Sequence, residues 1–234
     1  MREMRLTLCA DLTGPHPETP DLGFKYLLVL VAIDREGRKL PFCRGLQTKR
    51  GLVVSMAVES ILKELRCLDP SAEFVRFHTD AGREFINQDV EEVFRKYRLY
   101  QTNTGGHDPQ ANGLAEKFIG MIKGRAGSYL VHSRMSLRNW YYACMQAAAV
   151  MRMKALDIHL SQGAPTFGDT VVVRRPEAEK TSFGQKAAEA TFLRWSSVVP
   201  MGAWVIMTRE DGTEKIELTM LPRNWKRVAE KDGS

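Results

Sequence analysis

The sequence predicts an α/β domain followed by a small all-β module. Three observations carry that reading. Strand-length apolar runs alternate with segments of helical spacing as far as Leu156. Beyond Asp157 the pattern changes to short strand-like runs broken by turn-forming residues. The chain has 234 residues, 44% hydrophobic and 26% charged. That length can bury a core without disulfide or metal staples, and that composition excludes a wholly disordered chain.

Each element follows from its local pattern. Arg5–Asp11 alternates and is rich in apolar residues, so it reads as a strand, and Thr13-Gly14-Pro15 opens a Pro-rich loop that runs to Gly23. Residues 26–33 are continuously apolar and of strand length, the mark of a strand buried on both faces. The charged stretch 34–39, with Gly37, makes a tight turn in which Asp34 is expected to be solvent-exposed. Residues 40–46 pair back as a third strand, and Pro41 places it at an edge. Residues 51–65 carry apolar side chains at helical spacing (Val54, Ala57, Ile61, Leu65), residues 73–79 form a short strand after the Pro70 break, and residues 87–97 form a second helix. A short strand is expected at 99–102, a Gly-rich loop at 105–113, and long helices at 114–130 and 137–156, the second Ala- and Met-rich and buried. In the module, strands are expected at 170–174, 191–195, 203–207 and 215–220, with Asp211-Gly212 as the last hairpin turn. The expected division is a first domain over 1–160, a linker over 161–169 and a β-rich module with a polar tail over 170–234.

Several functional classes drop out early. The longest apolar run is eight residues, far short of the roughly 20 needed to cross a bilayer, and no signal-peptide core is expected because Asp11 follows soon after the start. Cys9, Cys43, Cys67 and Cys144 form no CxxC pair and read as reduced thiols of an intracellular protein. The five histidines form no HxxxH pair, so no zinc is expected. The net charge of +6 is concentrated. Residues 94–154 hold ten basic and two acidic side chains, a local +8 that leaves −2 for the rest. That is compatible with a polyanionic partner.

Among 28 acidic residues, location selects three. Asp11 ends the expected first strand and Asp80 ends the fourth, in Phe77-His78-Thr79-Asp80. Side chains at strand ends of an α/β sheet project into crevices where ligands bind. Glu116 lies in the first turn of the helix after the Gly-rich loop. Three converging carboxylates repel one another unless a cation compensates. Hard divalent ions prefer oxygen ligands, and two of them can activate the attacking oxygen and stabilise the leaving oxygen of a phosphodiester displacement. The pattern points to phosphoryl transfer.

Asp80 and Glu116 are separated by 35 residues. With the flanks Asp11-Leu12-Thr13-Gly14-Pro15, Asp80-Ala81-Gly82-Arg83-Glu84-Phe85 and Gln110-Ala111-Asn112-Gly113-Leu114-Ala115-Glu116, this resembles the integrase catalytic core of retroviruses and LTR retrotransposons. Residues 167–221 resemble, more weakly, the β-rich segment that follows the core in copia-type polyproteins. Arg194 stands where that segment usually carries a glycine. The resemblance implies an RNase H-like fold, a five-stranded mixed sheet with helices on both faces. It implies Asp11, Asp80 and Glu116 as ligands of two magnesium or manganese ions, trimming of donor DNA ends, and attack of the 3′-hydroxyl on target DNA. It further implies a nuclear site of action after cytoplasmic synthesis and a homo-oligomer, dimer or tetramer, bridging two DNA ends. No membrane partner is expected. The family's amino-terminal HHCC zinc module is not expected in the chain as given.

Lys117, Lys123 and Arg125 are candidate DNA-phosphate contacts, with Gln110 and Asn112 shaping the loop or touching DNA. Lys123 follows Glu116 by seven positions, which returns it to the same helix face. Arg134 is a weaker candidate, and His107 reads as exposed. Trp140 and Tyr141 read as core, as do Trp195 and Trp204 in the module. The competing readings are an insertion-sequence transposase of the same fold, a nuclease of RNase H type, and a domesticated, non-catalytic DNA- or partner-binding protein.

Overall fold

The computed structural model describes residues 5–19, 21–80, 82, 84–103, 109–160, 163–174, 187–196, 199, 202–209 and 212–220. The chain divides into two units, Met1–Gly127 with Ser136–His159, and Ser128–Met135 with Leu160–Ser234.

In the first unit β1 (Arg5–Thr13), β2 (Tyr26–Ile33), β3 (Lys39–Leu46), β4 (Glu73–Thr79) and β5 (Tyr100–Asn103) form one sheet in the order β3-β2-β1-β4-β5. β1, β2 and β3 pair antiparallel, while β4 runs parallel to both β1 and β5. With α1 (Gly51–Leu68), α2 (Gln88–Tyr97), α4 (Trp140–Ala155) and α3 (Pro109–Ser133), of which the part up to Gly127 belongs to this unit, this is the expected five-stranded mixed sheet with helices. Pro41 sits on outermost β3, where its missing N–H is least costly.

Alternation along β1 sorts its two faces. Leu6, Leu8, Ala10 and Leu12 enter a core shared with Val58, Ile61 and Leu65 of α1 and Val90 and Phe94 of α2. The opposite face carries Thr7, Cys9 and Asp11. β4 does not alternate regularly, because Phe74 and Phe77 both enter the core. The register explains this: Leu6 pairs with Phe74 but Thr7 pairs with Arg76, leaving Val75 as one extra residue on β4. An added residue reverses which side chains face which way beyond it. His78 therefore falls opposite Cys9.

α2 begins at a capped end, where the Asn87 side chain accepts from the Val90 N–H at 3.1 Å. It carries Asp89 and Glu91 in its first turn and Arg95 and Lys96 in its last, the signs that suit the helix dipole. Between β3, α1 and α4 lies buried Glu64. It accepts from Arg44 at 2.5 Å and from Arg152 at 3.1 Å. Arg152 also donates to the Pro41 carbonyl at 2.6 Å and lies 4.2 Å from the Phe42 ring centroid. The buried charge is thus paired twice, which burial requires. Trp140 and Tyr141 are buried as expected. The Trp140 indole donates to the Pro17 carbonyl at 2.6 Å, and Tyr142 donates to Asp21, so α4 holds down the β1–β2 loop.

Three expectations are corrected. β1 continues through Asp11 to Thr13, because β2 goes on pairing with it as far as Thr13↔Leu27. α3 starts at Pro109 rather than at 114, a position where proline's missing N–H costs nothing. Asp34 is buried, not exposed: its carboxylate accepts from the N–H groups of Glu36 and Arg38, both at 2.9 Å, and from Arg38 Nε at 2.6 Å. That is side-chain organisation of a turn by aspartate.

In the second unit β6 (Thr170–Arg174), β7 (Ala187–Trp195), β8 (Gly202–Thr208) and β9 (Glu214–Met220) form an antiparallel sheet in sequence order. Its core holds Val171, Val173, Ala190, Phe192, Ala203, Val205 and Met207. The β7–β8 register shifts between Phe192 and Arg194, which frees Arg194 to lie over the Trp204 ring at 5.1 Å. Trp195 packs edge-on against Phe192 at 5.2 Å. Cys9, Cys43 and Cys144 are buried and Cys67 is exposed, and none of the four is in a disulfide. Among the described residues, no helix is long and apolar enough to cross a membrane.

Candidate active site

The site forms where β1 and β4 part. Their pairing ends at Cys9↔His78, and both chains run on. Asp11 follows Cys9 by two residues, on the face of β1 opposite the main core, and Asp80 follows His78 by two, just beyond the end of β4. Asp11 is still held in the sheet by Val29 of β2, so its backbone is fixed while β4 no longer covers it. Asp80 leaves the strand and folds over locally, its Oδ1 accepting from the Gly82 N–H at 3.1 Å. The Asp11 Oδ1 accepts from the Leu12 N–H at 2.7 Å.

The Asp11 carboxyl is pushed above its ordinary value, first by loss of water around a half-buried side chain. Its hydrogen bond from Leu12 pulls the other way, and the negative charges of Asp80, Glu116 and Glu84 push it further up. Glu116, on the first turns of α3, is exposed, so the helix brings an acidic group towards the two aspartates from outside the sheet. The charges of Asp80 and Glu116 thus both act on Asp11. Among the described residues no three His, Cys, Asp or Glu side chains are drawn close enough to enclose an ion.

Glu84 is a fourth carboxylate that the sequence reading did not single out. The signal was present in Asp80-Ala81-Gly82-Arg83-Glu84: a glycine between two acids in a tight turn lets both approach. A Cβ at Gly82 would stand 2.9 Å from Asp80 Oδ1 and 2.8 Å from Glu84 Oε2.

Beneath the site the same sheet face is polar. Arg76 Nε donates to the Thr102 hydroxyl at 2.7 Å, and His78 Nδ1 lies 2.9 Å from that oxygen. These contacts tie β4 to β5 just before Asp80.

Lys117, Lys123 and Arg125 are exposed on α3. Lys123 lies near the β1–β2 loop and α4: its charge helps to lower the pKa of His16, after burial, and opposes the burial that raises Cys144. The structure therefore sets Glu116 towards Asp11 and Lys123 towards the His16 loop, along one helix. Gln110 and Asn112 fall within α3, and their side chains, like His107, lie outside the described residues.

As oxygen donors the carboxylates are of the kind a hard divalent cation prefers, but in this structure Asp11, Asp80 and Glu116 are not drawn together closely enough to enclose one. No zinc-type set of Cys and His accompanies them among the described residues.

No protein-family model matches the chain. Among solved structures, the catalytic core domain of BIV integrase is similar at 15% identity and a TM-score of 0.42, over 69% of this chain and 87% of that one. A chain of the simian T-cell lymphotropic virus intasome in complex with the PP2A regulatory subunit B56 gamma is 14% identical with a TM-score of 0.46, over 94% and 77%. The HTLV-2 integrase catalytic core domain, in complex with magnesium and in a trimeric form, is 17% identical with a TM-score of 0.40, over 63% and 82%.

Proposed function

We propose that the chain is a polynucleotidyl transferase of the retrotransposon integrase type. It would trim the 3′ ends of element DNA and join them to a target duplex. The observation that carries this reading is the β1–β4 register. It ends with Cys9 paired to His78, two residues before Asp11 and Asp80, and the charges of Asp80 and Glu116 both bear on the Asp11 carboxyl, which supports the reading. The flanking motifs of all three residues support it.

In this reading Asp11, Asp80 and Glu116 hold the divalent cations, magnesium or manganese. Such ions, when bound, activate the attacking oxygen and stabilise the leaving oxygen in an in-line displacement at phosphorus. In the trimming step a water oxygen forms the new P–O bond and the 3′-side oxygen leaves. In the joining step the freed 3′-hydroxyl oxygen attacks a target phosphate and the target strand's own 3′ oxygen leaves. The chain's other residues bind and orient. Lys117, Lys123 and Arg125 take up DNA phosphates along α3, and Gln110 and Asn112 position the strand at its start. The expected assembly is a homo-oligomer bridging two DNA ends, acting in the nucleus.

The test is a strand-transfer assay with magnesium or manganese, a duplex with a recessed 3′ end and a second duplex as target. Wild-type chain joins them. Asp80→Asn and Glu116→Gln each lower joining by about 100-fold or more, because each removes a charged ligand. Undiminished joining by both variants overturns the site assignment.

A further inference from the structure

The sheet face that carries Asp11 extends from it to the β5 edge. Thr7 lies four residues before Asp11 on that face of β1, about 13 Å along the strand. Beside Thr7 in register stands Arg76 of β4, and beside Arg76 stands Tyr100 of β5. His78 and Thr102 pair in the same way two residues further on. The intervening residues point to the other side: Phe77 enters the main core, and the Gln101 side chain donates to the carbonyl of core residue Phe85 at 3.1 Å. Arg76, His78, Tyr100 and Thr102 therefore share the face opposite that core.

Arg76 is oriented without being neutralised. Its Nε donates to the Thr102 hydroxyl at 2.7 Å, and its Nη2 lies 3.2 Å from His78 Nδ1. A guanidinium carries donors only, so Nδ1 accepts, and the Thr102 hydroxyl, 2.9 Å away, can donate to the same nitrogen. Both partners of the guanidinium are then uncharged, and buried His78 fixes one of them in place. Other arginines of this unit end on carboxylates: Arg5 on Glu73, Arg38 on Asp34, and Arg44 and Arg152 on Glu64. Arg76 is exposed and forms no such ion pair among the described residues, so its full charge and its remaining N–H groups face outward. Next to it Tyr100 is 71% exposed, and no other aromatic side chain among the described residues is exposed. Arg98, two residues before Tyr100, is exposed as well and adds a cation at this edge.

We propose that Arg76 and Tyr100 form a binding strip for single-stranded DNA, in which Arg76 takes a backbone phosphate and Tyr100 stacks on a base. A fixed guanidinium offers a phosphate parallel donors, and an open ring accepts any base whose faces are free. A duplex keeps its bases stacked on one another, so it can use the arginine but not the ring. The inference rests on the proposed reading that DNA is the substrate, and it adds that an unpaired strand crosses the sheet on the β4–β5 side.

The test is fluorescence anisotropy of the full chain with a labelled oligodeoxythymidylate of about 12 nucleotides and with a blunt duplex, each over a salt series. Thermal unfolding of each variant checks its fold. Tyr100→Ala weakens single-strand binding about five-fold or more and leaves duplex binding within about two-fold. Tyr100→Phe keeps the ring and binds like wild type. Arg76→Gln weakens single-strand binding and lessens the slope of log affinity against log salt by about 0.7, while Arg76→Lys keeps the slope. Wild-type single-strand affinity in Tyr100→Ala overturns the inference, and so does an unchanged salt slope in Arg76→Gln. If Lys123→Ala weakens binding of either DNA while Tyr100→Ala and Arg76→Gln do not, the inference alone fails. If the wild-type chain binds neither DNA, the reading of DNA as substrate fails and takes the inference with it.

Discussion

Asp11 pays for its position in the absence of a cation. Burial and three neighbouring carboxylates raise its pKa in the folded chain above the unfolded value. A carboxyl shifted this way favours the fold while protonated. Its contribution is present below the ordinary carboxylate range and is lost as the pH rises through the folded-state value. Asp11→Asn should therefore raise the thermal unfolding midpoint of the metal-free chain at pH 7, and the gain should vanish near pH 3. An equal gain at both values would show that packing, not charge, is responsible. The sequence singled out Asp11, Asp80 and Glu116 by expected strand ends and spacing, although β1 in fact runs past Asp11 to Thr13. Asp34 was misread because the residue types of a charged turn do not show that one carboxylate will accept from two backbone N–H groups and a guanidinium at once. The closeness of Glu84 to the space beside Gly82 was not legible, because it is a spatial fact that composition does not carry.

Among the elements, β4 governs the site. Its bounds, Glu73–Thr79, match the sequence expectation, as do those of β2 and β6. The bulge within it was not legible, since Phe74 and Phe77 at a spacing of three resemble neither a clean strand nor a helix. With the register of Leu6↔Phe74 continued unbroken, residue 80 would take the parity of Phe74 and face the core. Val75 alone reverses that. Deleting Val75, which is 36% exposed, removes the extra residue but leaves Leu6↔Phe74, Thr7↔Arg76 and Cys9↔His78 paired as before, so Asp80 should keep its side of the sheet and strand transfer should survive, and Val75→Ala should likewise leave activity within about two-fold. Loss of strand transfer in the deletion, with the fold intact, would refute the parity argument. The early start of α3 at Pro109 was missed because Gly113 and its neighbours read as loop, and tertiary context overrode that local preference.

For the molecule as a whole, the sequence reading of an α/β unit followed by an antiparallel β unit matches the two sheets. The local +8 over residues 94–154 is less uniform than the count implies. Lys96 pairs with Glu59 at 2.6 Å and Arg152 with Glu64, so part of the excess is spent internally and the exposed cations of α3 remain for a polyanion. DNA affinity should fall steeply as salt is raised, and Lys123→Ala should lessen the slope of log affinity against log salt by about one counterion. A salt-independent affinity would count against a phosphate-binding face. The pairing of Glu64 has a further, kinetic consequence. Its first guanidinium, Arg44, lies 20 residues away in the chain, but its second, Arg152, lies 88 away. The bonds from Trp140 to Pro17 and from Tyr142 to Asp21 span 123 and 121 residues. Loops of that length close late and slowly. The first half of the chain can therefore leave the ribosome with its sheet largely paired, yet must wait for α4 before its polar contacts are complete.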